Sequence, residues 1–197
     1  MSPVILASRS ASRAAILKAA GVTFETASPE VDEDAAKSAL LAAGAGARQV
    51  AEALAEAKAA KVSRQRAGLV IGADQTLDVD GVLYDKARNV CEARERLMAL
   101  RGRAHQLHAA VVVARDGAAI WRSANTARLT MRAFSDAFLD DYLAAEGETV
   151  LSCLGCYRLE ARGAQLFESV EGDYFSILGL PLFGLLDFLR QAGALPT

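Results

Sequence analysis

The sequence predicts a mixed sheet with flanking helices, in an α/β fold with α+β character. Two observations carry this. Strand-like and helix-like segments alternate over the first third of the chain, whereas the middle is dominated by hairpin signals at Asp80-Gly81 and Asp116-Gly117. A purely parallel doubly wound sheet fits only the first of these patterns. A length of 197 residues with 52% hydrophobic and 23% charged residues suits one domain, over residues 1–197, or two small lobes sharing a core.

The elements follow in order. Val4, Ile5 and Leu6 form a short apolar run that reads as a buried strand. A small-residue turn comes next, with Ser10 as helix N-cap, and residues 14–17 carry a helical pattern closed by Gly21. Residues 23–27 read as a second strand leading into an acidic loop, residues 29–34. The alanine-rich stretch around Gly44 and Gly46 reads as irregular, ahead of a helix over residues 49–62. Residues 69–73 form a continuous apolar run, as in a strand covered on both faces, with Asp74 directly after it.

Residues 76–84 alternate around Asp80-Gly81 and predict a hairpin; residues 105–114 and 119–131 predict a longer one around Asp116-Gly117. Between them, residues 92–100 read as a helix stopped by Gly102. Ser135 caps a helix that Gly147 ends. Short strands are expected near residues 156–159 and 165–167, and a last helix over residues 182–191.

Composition excludes several classes. Lys and Arg number 22 against 24 Asp and Glu, a net charge of -2, which disfavours an extended nucleic acid as partner. No apolar run approaches the ~18 residues of a membrane span, and the N-terminal apolar stretch is too short for a signal peptide, so a cytoplasmic location is expected. Cys91, Cys153 and Cys156 are too few for a disulfide framework. Cys153 and Cys156 are spaced C-x-x-C, but His105 and His108 lie far back in sequence, so core or loop thiols are expected before a zinc or redox site.

Three polar clusters sit where strands are expected to end, which is where ligands bind in such folds. Ser8, Ser10, Ser12 and Arg13 surround a strand-to-helix turn, whose unpaired backbone N-H groups and positive end suit a phosphate. The same residues also read as a serine-capped helix with exposed arginines. Asp74 with Glu30, Asp32 or Glu33 offers paired carboxylates for Mg²⁺; a solvated turn is the competing account of the acidic loop. Lys58 falls in the apolar stripe of Val50, Leu54 and Val62, where either a phosphate contact or a snorkelling stem explains it. Lys86 follows the first hairpin.

In this order the segments resemble the Maf family, also described as septum-formation-inhibitor-like nucleotide pyrophosphatases. The resemblance rests on Leu6-Ala7-Ser8-x-Ser10-x-x-Arg13, Pro29-Glu30-Val31-Asp32-Glu33, Leu54-Ala55-x-x-Lys58-Ala59, Ile71-Gly72-Ala73-Asp74-Gln75, Asp85-Lys86, and Glu171-Gly172-Asp173-Tyr174 before Leu178-Gly179-Leu180-Pro181-Leu182.

It implies a twisted mixed sheet in two lobes around a central cleft, and hydrolysis of a nucleoside triphosphate to monophosphate and pyrophosphate with Mg²⁺ or Mn²⁺. By position, Asp74 would be the catalytic acid residue and Glu33 would assist with the metal. Ser8, Ser10, Arg13, Lys58 and Lys86 would hold the phosphates. Gln75 and Glu160 are similar to a subgroup acting on 7-methyl-GTP. Ser12 departs from the arginine and the tryptophan of the two subgroups, removing a ring on which a cationic base could stack. Ala87 replaces the proline usual after the lysine. Clearance of modified nucleotides fits this resemblance, and a homodimer is left open. A regulator of cell division or septum formation that binds nucleotide without turnover is the competing function.

Overall fold

The protein is described here by a computed structural model covering residues 2–197. Its described residues form seven strands in one sheet, ordered β2-β1-β3-β5-β6-β7 with β4 on β3, together with seven α-helices. The chain divides into two compact units. The first comprises the residues up to Gln75, His108–Thr126 and Asp173–Thr197; the second comprises Thr76–Leu107 and Ala127–Gly172.

In the first unit, β1 (Val4–Ala7) is buried along its whole length and pairs in parallel with β2 (Glu25–Ala27) and with β3 (Leu69–Val79). Leu6 stands opposite Ile71 and Ala7 opposite Gly72, so Ser8 leaves the sheet close to the level at which Asp74 sits on the neighbouring strand. Helix α1 (Ala11–Ala19) begins where expected, with the Ser10 hydroxyl accepting from the Arg13 amide. Asp74 does not follow a strand end. β3 continues to Val79, because Thr76, Leu77 and Val79 remain buried and the alternation read as a separate hairpin arm is the same strand.

One helix was not legible. Residues read as acidic loop and irregular stretch form α2 (Glu33–Ala42), which has no buried residue and hence no apolar stripe to betray it. Alanine propensity and the Asp32 side chain, which accepts from the Ala35 amide at 3.0 Å, suffice. Glu33 and Asp34 occupy the first turn, where the helix dipole favours them.

Helix α3 (Ala47–Ser63) lays Ala51, Ala55 and Ala59 against Ala110, Val112 and Ala114. A Cβ at Gly72 would stand 2.2 Å from the Ala55 carbonyl oxygen, so only glycine lets α3 lie this close to β3. The approach brings Lys58, next to Ala59 on the same helix, to Asp74, two residues beyond Gly72. Helix α7 spans the expected residues (Leu182–Gln191) and buries Leu182, Leu185 and Leu189 against Leu6, Ile71 and Val111.

The second unit contains β4 (Val82–Tyr84), α4 (Val90–Leu100), α5 (Asp136–Glu146) and β7 (Phe167–Glu171). Strands β5 (Ala104–Arg115) and β6 (Ala118–Met131) contribute residues to both units. Both hairpin turns put aspartate and glycine at positive φ, 52° and 85° at Asp80-Gly81 and 52° and 82° at Asp116-Gly117, the geometry that makes these dipeptides hairpin signals. The strand expected at residues 156–159 is instead a turn: Cys156 has φ 58° and its amide donates to the Cys153 carbonyl at 3.2 Å. The expected strand at 165–167 begins only at Phe167. All three cysteines are free. Among the described residues no helix is long and apolar enough to cross a membrane.

Candidate active site

Lys58 is 5% exposed and does not snorkel to water. Its Nζ lies 2.6 Å from Asp74 Oδ1 and 2.7 Å from Glu33 Oε2, so one ammonium bridges two carboxylates. The three come from different elements: β3 supplies Asp74, the buried face of α3 supplies Lys58, and the first turn of α2 supplies Glu33. A buried charge needs such partners, since desolvation otherwise costs more than folding can supply.

Burial pushes the Asp74 carboxyl above the usual carboxylate range, while Lys58 and Arg13 pull it down and Glu33 adds to the rise. Burial and the two cations thus act on this carboxyl in opposite directions, with burial the larger.

Arg13 forms the other half of the site. Its Nε donates to the Gly179 carbonyl at 2.9 Å and Nη1 donates to Ser8 Oγ at 3.4 Å. Ser8 Oγ also accepts from the Ser10 amide at 3.2 Å. Burial lowers the guanidinium pKa, and the fields of Asp74 and Glu33 oppose that shift, which places two cations and two anions in one neighbourhood. Beside them a cavity of about 310 Å³ opens at the N-terminus of α1, lined by Ser8, Arg9, Ser10, Ala11, Ala14, Thr26, Ala27 and Ser28. Hydroxyls, free helical amides and a guanidinium at such a place suit phosphate oxygens.

Two of the expected specificity residues do something the sequence did not foretell. Gln75 Nε2 donates to the Ser176 and Ile177 carbonyls at 3.0 and 2.9 Å, and the Ser12 hydroxyl donates to the Leu178 carbonyl at 3.2 Å. With the Arg13 bond to Gly179, four successive carbonyls of one loop hold three residues of the site.

Lys86 and Glu160 belong to the second unit. Lys86 is exposed in the loop after β4. Glu160 pairs with Arg158 at 3.2 Å. Burial raises the Cys153 thiol pKa, with Glu160 adding to the rise and Lys86 and Arg158 opposing it, so Lys86, Glu160 and Arg158 gather around that thiol. The structure thus brings Ser8, Ser10, Arg13, Glu33, Lys58 and Asp74 together in the first unit, joins Ser12 and Gln75 to them through the 176–179 loop, and groups Lys86 with Glu160 in the second.

Sequence reasoning passed over Asn125 as a site residue. Its Nδ2 donates to Ser176 Oγ at 2.9 Å, and nothing in the alternation of β6 distinguishes it from a solvated strand residue. It also passed over the steric role of Gly72.

Charges opposed two against two beside a helix N-terminus mark a phosphate-handling α/β protein. The family described as Maf-like protein matches residues 3–192, and the chain belongs to it. It is 62% identical over 195 residues to a nucleoside triphosphate pyrophosphatase of Caulobacter vibrioides, covering 99% of this chain and 98% of that protein. It is 50% identical to a nucleoside triphosphate pyrophosphatase of Rhodospirillum rubrum, covering 98% and 96%. A 7-methyl-GTP pyrophosphatase of Rhizobium meliloti is 48% identical, covering 98% and 97%.

Proposed function

We propose that the chain hydrolyses nucleoside triphosphates to nucleoside monophosphate and pyrophosphate, in the cytoplasm, and that modified nucleotides are among its substrates. The observation that carries this is the Lys58 bridge between Asp74 and Glu33, next to Arg13 and Ser8 at the helix N-terminus. Asp74 takes a proton from water, and the water oxygen bonds to the α-phosphorus as the bond to the β-phosphate oxygen breaks. Pyrophosphate leaves with that electron pair. Lys58 opposes the effect of burial on Asp74, and Arg13 with the Ser8 and Ser10 hydroxyls fixes the phosphate chain in line.

The residues present fit a divalent cation. Asp74 gives Oδ1 to Lys58 and keeps Oδ2, while the Glu33 side chain is 40% exposed and accessible. Two carboxylates completed by waters and phosphate oxygens are the usual setting for Mg²⁺ or Mn²⁺. When bound, the cation would neutralise charge on the phosphate chain. Both relative names, nucleoside triphosphate and 7-methyl-GTP pyrophosphatase, fall within this chemistry, and Gln75 with Glu160 favours the second. Ser12 offers no ring to stack on a methylated base.

Incubating purified protein with 7-methyl-GTP, GTP, UTP and dTTP, with Mg²⁺, with Mn²⁺ and with chelator, and assaying pyrophosphate, tests this. Release dependent on the metal is expected; nucleotide binding with no release from any of the four would leave a binding protein and sink the hydrolytic function.

A further inference from the structure

Asn125 lies on β6 of the first unit, partly buried, with its amide nitrogen 2.9 Å from the hydroxyl of Ser176. Ser176 is 1% exposed. Its hydroxyl donates its single proton to Asp173 Oδ2 at 2.6 Å, and its amide donates to the same oxygen at 2.7 Å. The hydroxyl can therefore only accept from Asn125, which fixes the direction of every bond in the chain Asn125 to Ser176 to Asp173. Asp173 caps the short helix α6 (Tyr174–Ile177), so the relay ties β6 to the start of the loop that follows.

That loop presents the carbonyls of Ser176, Ile177, Leu178 and Gly179 in succession to Gln75, Ser12 and Arg13. Gln75 spends both amide protons on Ser176 and Ile177. Its Oε1 is left as the acceptor end, 3.6 Å from where a Cβ on Gly179 would stand, and so is an arm of Arg13. Gly179 has φ 98°, which a side chain would strain. The carbonyl row thus holds the nitrogen end of the Gln75 amide, leaves Oε1 as its acceptor, and fixes the Arg13 Nε.

We propose that Asn125 is a positioning residue for nucleotide selection: through Ser176 and Asp173 it sets the 176–179 carbonyl row, and through that row the Gln75 acceptor and the Arg13 cation. This rests on the proposed nucleotide site. A base edge that offers N-H groups, as guanine does with two, is recognised by an amide held acceptor outward, and loses that recognition if the amide is free to turn.

Asn125→Asp, nearly isosteric, removes the donor and sets a carboxylate against an oxygen whose proton is already committed. Ser176→Ala removes the relay hydroxyl and leaves the amide bond to Asp173. Dissociation constants for GTP and for UTP are measured by calorimetry for both variants and the parent chain, with melting temperatures and, separately, pyrophosphate release. The expected result is a change in the ratio of the two constants of about fivefold, the factor one hydrogen bond is worth, with Asn125→Asp larger than Ser176→Ala and melting temperatures within about 2 °C of the parent. An unchanged ratio overturns the proposal, and so does equal weakening of both nucleotides alongside a lower melting temperature, which is what mere loosening of the fold produces. Because the ratio is read from binding, a parent chain that binds nucleotide without releasing pyrophosphate would overturn the hydrolytic function and still decide the role of Asn125.

Discussion

Lys58 and Asp74, in the first unit, meet with side-chain exposures of 6% and 11%, whereas Arg158 and Glu160, in the second, meet at 38% and 32%. Both are oppositely charged pairs, yet they have different consequences. The first is desolvated, and removing the shared Lys58 ammonium takes from Asp74 and Glu33 the cation that pairs with both. The second is screened by water and contributes little to stability.

The largest expected effect is on the first pair. Asp74→Asn keeps the shape and removes the proton acceptor, so pyrophosphate release should fall by about 10²–10⁴-fold in single-turnover assays while circular dichroism shows a folded protein. Full activity would move the chemistry elsewhere. Lys58→Met keeps the stem and removes the ammonium that bridges Asp74 and Glu33, leaving only the field of Arg13 against them; chemical denaturation should report a loss of about 3–5 kcal/mol, against almost none if the pair is as screened as the one at Glu160.

His105 sharpens the contrast from within the second unit. It is 2% exposed, its Nε2 lies 2.6 Å from the Tyr157 hydroxyl, and its Nδ1 has no hydrogen-bond partner among the described residues. Burial pushes its pKa down to about 4. Burial alone acts on it, whereas Asp74 also feels Lys58 and Arg13. Below about pH 6.5 the unfolded chain binds a proton that the folded chain refuses, so stability falls as pH drops from about 6.5 to 4, by up to roughly 3 kcal/mol from this residue. His105→Leu should flatten that part of the profile in urea titrations across the window.

The smallest effect on stability belongs to Glu160→Gln. Loss of the exposed pair should cost about 0.2–1 kcal/mol, while the relative rates on 7-methyl-GTP and UTP should shift. A stability loss as large as that of Lys58→Met would erase the distinction between the two pairs.

Much of the fold could be read from the residues. Ser10, Ser135 and the two Asp-Gly turns act locally, and their caps and hairpins appear where the sequence put them. Lys58 stood out because a lysine interrupts an apolar stripe, a signal that survives without knowledge of its partners. Helix α2 was lost because an exposed, alanine-rich helix has no periodicity to show. The end of β3 was misplaced because hairpin alternation and a buried strand merge without a break at Asp74.

By itself the sequence determined the local elements and the residue types able to handle phosphate, since capping, turn geometry and apolar periodicity depend on neighbours along the chain. Only the tertiary structure decided that Glu33 and Asp74 share one ammonium, that glycine at position 72 permits it, and that Gln75, Ser12 and Arg13 are held by four consecutive carbonyls. Those facts depend on approach distances between segments far apart in the chain, which close packing fixes and no local pattern encodes.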